Sequence, residues 1–350
     1  MMRAITLDPA TPDSAALEEM PEPGPDEGAI LVDGIALGIC GTDAEIVRGD
    51  YGEAPPGATR LVLGHESLGR VREAPAGTGF SPGDLVVGIV RRPDPVPCAS
   101  CAAGEWDFCR NGQYTERGIK ALHGYGSERW RIEPEFAVRL DPALDEIGVL
   151  MEPTTIVAKA WEQIDRVLTR ATIGPERVLV TGAGPIGLLA ALLARRRGYE
   201  VTVLDLATDG PKPGLVRDLG ATYSSESVRS VDPPPDIIVE ATGVSQVVVD
   251  AMGHTGANGV VCLTGISSGG HDITLDAGML NRSVVLENDL VFGSVNANRR
   301  HYEAAAEALV EADREWLERL ITRRVPLDDW RSALTREPHD IKVVVELGAT

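Results

Sequence analysis

Up to about Leu150 the apolar positions fall in short runs, at 3–7, 29–32 and 85–90, separated by Gly and Pro. Short strands with turn residues between them predict a β-rich, barrel-like region. From about Arg177 the pattern changes. RVLVTG reads as a buried strand, PIGLLAALLARRRG as a helix and YEVTVLDL as the next strand, and DIIVEATG and GVVCLTGI repeat the theme of a β-branched run ending in a turn. Such alternation builds a parallel sheet with helices on its faces. Residues 152–170 read as a helical connector. From about Asn296 the chain turns charged and helical, then ends in the strand-like KVVVEL, a run able to return to the first region. There is no internal repeat and no low-complexity segment.

Charge narrows the class of partner. The 350 residues carry 33 Lys+Arg against 53 Asp+Glu, a formal net charge of −20. A surface this acidic repels phosphate backbones and anionic lipid, which argues against nucleic-acid and membrane partners. The start, MMRAITLDPA, has no apolar signal core, and no apolar stretch approaches the ~18 residues of a membrane span. The expectation is a soluble cytoplasmic protein. Three of the five cysteines, Cys98, Cys101 and Cys109, crowd into twelve positions. In a chain without an export signal such clustering points to metal binding before disulfides. Cys262, in a strand-like run, reads as a core residue. His123 and His254 read as loop or surface histidines.

The strongest local motif is Gly182, Ala183, Gly184, Pro185, Ile186 and Gly187, directly after the strand RVLVT and at the mouth of an apolar helix. Glycines there permit a tight turn, a close backbone approach to a pyrophosphate and close helix–strand packing, and the helix N-terminus favours negative charge. The next strand ends in Asp205, 23 residues beyond Gly182, where a carboxylate accepts hydrogen bonds from an adenosine ribose. Such a carboxylate repels a 2′-phosphate, and no Arg follows in Asp205-Leu-Ala-Thr-Asp209, so NAD is favoured over NADP. The alternative is that Lys212 or Arg217 offsets the charge.

In the β-rich part, Cys40-Gly-Thr42-Asp43 and Gly64-His65-Glu66 stand 25 residues apart, and Met151-Glu152-Pro153 closes that part. Thiolate, imidazole and carboxylate are suitable zinc ligands that leave a position open for water or substrate. Singly, each has a plainer reading: Cys40 as a small buried hydrophobe, His65 as a hydrogen-bonded core residue, Glu152 as a helix N-terminal charge.

Taken together, GICGTD, LVLGHESLG, SPGDLV, the Cys98–Cys109 lobe and VTGAGPIGL resemble the zinc-dependent medium-chain alcohol dehydrogenases. The stretches FCRNGQYTERGIKALHGYGSERW, GVLMEPTTIVAKA and GSVNANRRHYEAA resemble the glucose 1-dehydrogenase branch, best known from archaea. The resemblance implies a GroES-like β-rich catalytic domain over 1–155 and 296–350, and a Rossmann doubly wound parallel-sheet domain over 156–295. It implies a catalytic zinc held by Cys40 and His65, with Glu66 and Glu152 exchanging in and out. Thr42 matches the hydroxyl that contacts the substrate alcohol and starts its proton path, while Glu116, Glu152 and Asn296 match sugar contacts. The implied cofactor positions are Ala183 to Ile186, Asp205, Leu206, Ala207, Leu263, Thr264, Gly265, Ser294, Val295 and Asn296.

The implied activity is hydride transfer from C1 of glucose or a related aldose to the nicotinamide cofactor, giving the lactone, in a homo-oligomer. Three departures stand out. The cysteine lobe has Pro95 where a fourth cysteine is usual, with Asp94 as a conceivable oxygen ligand; otherwise the lobe is metal-free. A phosphate-binding Arg is missing near Asp205, and Ile156 replaces a polar residue of some members. Another polyol, cyclitol or secondary alcohol therefore stays open as the substrate, and a non-catalytic NAD(H) sensor is the remote alternative.

Overall fold

The computed structural model describes residues 1–172, 174–267 and 272–348. Its contacts divide the chain into two compact units, Met1–Thr155 with Asn296–Thr350, and Ile156–Val295. Each is described by itself.

The first unit is built on a seven-stranded sheet centred on Ile30–Ile39. That strand pairs antiparallel with Glu66–Glu73 and with Lys342–Glu346, so the C-terminal run lies directly beside it. Arg129–Ile132 also pairs with it, placing Trp130 opposite Val32. Inward side chains of these strands, among them Val32, Leu37, Trp130 and Val345, form one apolar core with Ile5 and Leu61 from a smaller sheet. Helix Gly41–Val47 starts where Ile30–Ile39 ends, so Cys40 is its N-cap residue. A separate small sheet pairs Arg91–Arg92 antiparallel with Thr115–Arg117, and the latter parallel with Ala121–Leu122.

The second unit is a six-stranded, fully parallel sheet in the spatial order Thr222–Ser224, Glu200–Leu204, Arg177–Thr181, Ile237–Glu240, Val260–Leu263, Leu290–Gly293. The strand–helix alternation predicted the parallel sheet, and this is the doubly wound order that the family resemblance implied, with the chain reversing direction of travel at Arg177–Thr181. Val178, Leu179 and Val180 are all buried. Covering both faces of a parallel sheet requires such continuous apolar runs, which is why the strand reads without polar alternation. Helix Pro185–Arg196 follows, with Pro at its first turn, an unbroken buried run from Gly187 to Ala194, and Arg195 and Arg196 in the last turn. Those positions suit the helix dipole. Among the described residues no helix is long and apolar enough to cross a membrane.

Candidate functional site

Backbone geometry at the end of strand Ile30–Ile39 sets the first cluster. The Cys40 amide donates to Asp43 Oδ2 at 2.9 Å, which fixes the turn into helix Gly41–Val47. Cys40 Sγ lies 3.1 Å from His65 Nε2. On the far side of the ring, His65 Nδ1 stands 3.5 Å from Asp43 Oδ1, and neither atom meets another hydrogen-bond partner. One ligand atom each from Cys40, His65 and Glu66 lies within 4.8 Å of the others.

Burial works against a proton on His65, but the Cys40 sulfur and the Asp43 carboxylate outweigh it and hold the imidazole well above its ordinary pKa. The surroundings thus favour positive charge at a nitrogen that faces a thiol. A divalent metal supplies that charge while keeping the imidazole neutral and the thiol ionised. Sulfur and nitrogen ligands of one tetrahedral zinc stand about 3.6 Å apart, a few tenths beyond the separation here. A carboxylate on the outer nitrogen is the usual way a zinc-bound histidine is oriented, and Asp43 occupies that place. Cys40, His65 and Glu66 fit zinc.

Two neighbours complete the charge pattern. Lys342, 1% exposed, reaches both oxygens of Glu66 at 2.7 and 2.6 Å and donates to the Ile39 carbonyl at 3.1 Å. Half-buried Glu152, in the first turn of helix Met151–Leu168, lies outside the close triad. Burial pushes its carboxyl up to about 7; His65 and Lys342 oppose the rise, while Glu66 and Asp43 add to it. Thr42 is half-buried, one residue before Asp43.

Glu116 and Asn296, remote in sequence, meet through Asn296 Nδ2 and Glu116 Oε1 at 2.6 Å. Asn296 adopts a left-handed backbone, φ 63°, which Asn tolerates better than most residues.

In the cysteine lobe the three sulfurs of Cys98, Cys101 and Cys109 converge. The Arg110 and Cys101 amides bring the Cys98 thiol down to about 6, and burial pushes Cys101 up to about 11. Asp94 does not join them. Its carboxylate accepts from the Val96 amide at 2.8 Å and from Asn111 Nδ2 at 2.8 Å, turned to this use by the tight Asp94-Pro95-Val96 segment. Among the described residues the lobe therefore lacks the fourth ligand that a closed structural zinc site needs.

The glycine loop of the second unit is shaped as its sequence requires. Gly182 has φ +88°, and a Cβ on Gly187 would lie 1.8 Å from the Gly182 carbonyl oxygen. Gly184, N-cap of helix Pro185–Arg196, faces open space, room for a ligand at a helix N-terminus. Asp205 reaches back to this loop, accepting from the Ala183 amide at 2.7 Å and the Ala207 amide at 3.0 Å. Lys212 Nζ pairs with it at 2.9 Å. Burial opposes ionisation of Asp205, but these amides and Lys212 outweigh it and hold the carboxyl below its usual range. Of the two cations weighed against Asp205, it is Lys212 that engages. Leu206 stands exposed beside it, Leu263 ends the fifth strand, and Ser294 bonds through its amide to the Leu263 carbonyl at 2.9 Å. Val295 is exposed and accepts from Lys159 through its carbonyl.

Three residues here were not singled out in the sequence for these roles: Asp43, Glu240 and Lys342. Fully buried Glu240 accepts from Thr181, Thr242 and Gly243, and its carbonyl accepts from the Thr264 and Gly265 amides, so it organises the strand ends beside the glycine loop. A buried Glu closing an apolar strand, IIVE, is the signal that could have found it.

Comparison with known proteins identifies the family. Residues 26–142 match the family model described as alcohol dehydrogenase GroES-like domain, and residues 145–347 match that described as glucose dehydrogenase C-terminus. The glucose 1-dehydrogenase of Methanocella arvoryzae is 40% identical, the match covering 99% of this chain and 100% of that one. Glucose 1-dehydrogenase 1 of Caldivirga maquilingensis is 39% identical with 99% of each chain covered. Among solved structures, Haloferax mediterranei glucose dehydrogenase in complex with NADP, Zn and gluconolactone superposes with a TM-score of 0.91 at 32% identity, covering 100% of both chains. The chain belongs to the glucose dehydrogenase family of the GroES-like medium-chain alcohol dehydrogenases, and it is a dehydrogenase.

Proposed function

We propose that this dehydrogenase oxidises C1 of glucose or a related aldose to the lactone, passing the hydride to a nicotinamide dinucleotide. The zinc would be held by Cys40, His65 and Glu66 in the unit Met1–Thr155 with Asn296–Thr350, and the dinucleotide by the unit Ile156–Val295. When bound, zinc supplies Lewis acidity toward the alcohol oxygen, and the nicotinamide supplies the hydride acceptor.

The residues divide the remaining work. Asp43 orients His65 and balances its charge. Lys342 fixes Glu66, so that this carboxylate stays poised without being drawn permanently inward. Thr42 takes the proton from the substrate hydroxyl and passes it on. Glu116, with Asn296 against it, accepts from a ring hydroxyl, and Glu152 lines the same site as a second acceptor or a transient ligand. In the unit Ile156–Val295, Gly182 to Gly187 would cradle the pyrophosphate, Asp205, Leu206 and Ala207 would border the adenosine ribose, and Leu263 to Gly265 with Ser294 and Val295 would border the nicotinamide side.

Cofactor choice rests on Asp205. The Haloferax relative carries NADP. Here Lys212 pairs with Asp205, and a cation so engaged is a poor partner for a 2′-phosphate, which favours NAD. A homo-oligomer fits the edge strand Leu290–Gly293 and helix Ala277–Glu287, where Met279, Val285 and Leu286 are exposed. Clustered thiols suit a reducing compartment, and we place the enzyme in the cytoplasm.

The observation that carries this reading is the convergence of Cys40, His65 and Glu66 in a chain 40% identical to a glucose 1-dehydrogenase. Ile156, where some relatives have a polar residue, favours one second reading: the same chemistry on a polyol or secondary alcohol that asks for fewer hydroxyl contacts. Initial rates on glucose, galactose, xylose, polyols and secondary alcohols separate the two. Fast polyol oxidation with silent aldoses would reject the aldose assignment.

A further inference from the structure

Glu116 is 4% exposed and Arg91 6%. They sit directly opposite each other in the ladder between Arg91–Arg92 and Thr115–Arg117. Arg91 Nε and Nη2 approach Glu116 Oε1 at 3.0 and 2.9 Å. Asn296 Nδ2 approaches the same oxygen at 2.6 Å. Three nitrogens thus converge on Oε1, and no donor among the described residues meets Oε2. The arrangement is held on every side. The Arg91 guanidinium lies 3.7 Å from the centre of the Tyr114 ring and donates to the Asp107 carbonyl at 3.4 Å. Asn296 Oδ1 accepts from the Ala297 amide at 2.8 Å, which fixes the amide plane and aims Nδ2 at Glu116.

A carboxylate accepts at both oxygens. Oε2 is not among the buried side-chain atoms left without a partner, so it faces space that water or a ligand hydroxyl can enter. Taking the Glu116–hydroxyl contact of the reading above as given, we propose that Arg91 is a positioning residue: with Asn296 it saturates Oε1 and so turns Oε2 toward the substrate hydroxyl. This rests on the aldose reading above and deepens it. A neutral O–H donor is the chemistry that fits Oε2, since Arg91 already balances the negative charge. Asn296 places one N–H on Glu116 and its Oδ1 on its own loop, which leaves its second N–H for the substrate. Arg91 is the specificity-determining residue behind the acceptor: without the fork, the carboxylate is free to rotate and offers either oxygen in several directions.

The test uses the zinc-loaded enzyme with glucose and its 2-, 3- and 4-deoxy analogues, in Glu116→Ala, Arg91→Gln, Arg91→Lys and the double variant Arg91→Gln/Glu116→Ala. Glu116→Ala is expected to lower kcat/KM for glucose by roughly ten- to a hundredfold, the worth of a charge-assisted hydrogen bond, and to leave unchanged the analogue that lacks the contacted hydroxyl. Arg91→Gln is expected to raise KM with that same hydroxyl dependence, with kcat and the KM for the dinucleotide little changed. The double variant should be no worse than Glu116→Ala. Arg91→Lys, which keeps the charge but loses the fork, should recover part of the loss, and it carries the test alone if Arg91→Gln does not fold. Arg91 variants that lose activity equally on all four sugars would overturn the positioning role while the Glu116 contact stands. A Glu116→Ala enzyme with no hydroxyl-dependent loss would overturn the sugar contact itself, and the positioning role with it.

Discussion

Replacing Lys342 with Met removes one half of an ion pair that is almost wholly buried. Lys342 and Glu66 side chains are 1% and 2% exposed, and the ammonium reaches both carboxylate oxygens within 2.7 Å. Met keeps most of the apolar stem, so packing changes little, but Glu66 is left as a buried charge without its partner. Breaking a buried pair in this way costs about 3–5 kcal/mol, or two to four powers of ten in the equilibrium between folded and unfolded states. The cost should appear in the sheet that carries both residues. Amide hydrogen exchange of Ile30–Ile39 and Lys342–Glu346 in the metal-free protein reads it locally. Adding Glu66→Gln to Lys342→Met removes the orphaned charge and should restore most of the loss. Zinc should stabilise Lys342→Met more than it stabilises the unsubstituted protein, because the unopposed carboxylate gains a cation beside Cys40 and His65. A loss under about 1 kcal/mol, or a double variant as unstable as the single one, would refute the view that Lys342 neutralises a buried carboxylate at the metal cluster.

Three further outcomes are expected. Asp205→Ala releases Lys212 from the pair at 2.9 Å, so kcat/KM with NADP should rise about tenfold or more relative to NAD; an unchanged ratio in steady-state assays would remove Asp205 and Lys212 from cofactor selection. His123 Nδ1 accepts from the Val62 amide at 3.1 Å, and burial, with Arg117 adding to it against Glu27, holds its pKa below the ordinary 6.5. The unfolded chain therefore binds the proton first, and the stability contribution is complete above about 6.5 and lost as pH falls from there through the folded value. His123→Asn, whose Oδ1 can accept the same amide without titrating, should flatten the fall in Tm between about pH 7 and 5; a parallel fall in both proteins contradicts this. Because Asp94 is occupied elsewhere, metal analysis after dialysis against a weak chelator should find one zinc per chain, lost in Cys40→Ser and retained in Cys98→Ser. Two tightly held zinc ions would mean that the three-thiol lobe closes its shell in another way.

Much of the second unit was legible because its cause is local. A strand buried on both faces, a glycine turn and an apolar helix follow one another within RVLVTGAGPIGLLAALLARR, and the strand order follows from right-handed crossovers. In the first unit the short apolar runs were visible but their partners were not, since Lys342–Glu346 lies beside Ile30–Ile39 across some three hundred residues. For the same reason Lys342 had no visible role, although a lysine opening an apolar strand in a chain with few lysines was a hint. The spacing of Cys98, Cys101 and Cys109 foretold their convergence, while the use of Asp94 depended on Asn111 reaching it. Cys262 is fully buried in its strand, as its neighbours implied. His123 is half-buried, because the loop that carries it folds against the Val62 amide.

The most direct measurement is the initial rate of cofactor reduction by the zinc-loaded protein on glucose and galactose, each with NAD and with NADP, alongside protein stripped of zinc. Fast oxidation with NAD, lost with the metal and restored by adding zinc, is the predicted result. Undiminished oxidation in the stripped protein, or silence on every aldose with zinc and dinucleotide both bound, would contradict the assignment of Cys40, His65 and Glu66 as the centre of an aldose dehydrogenase.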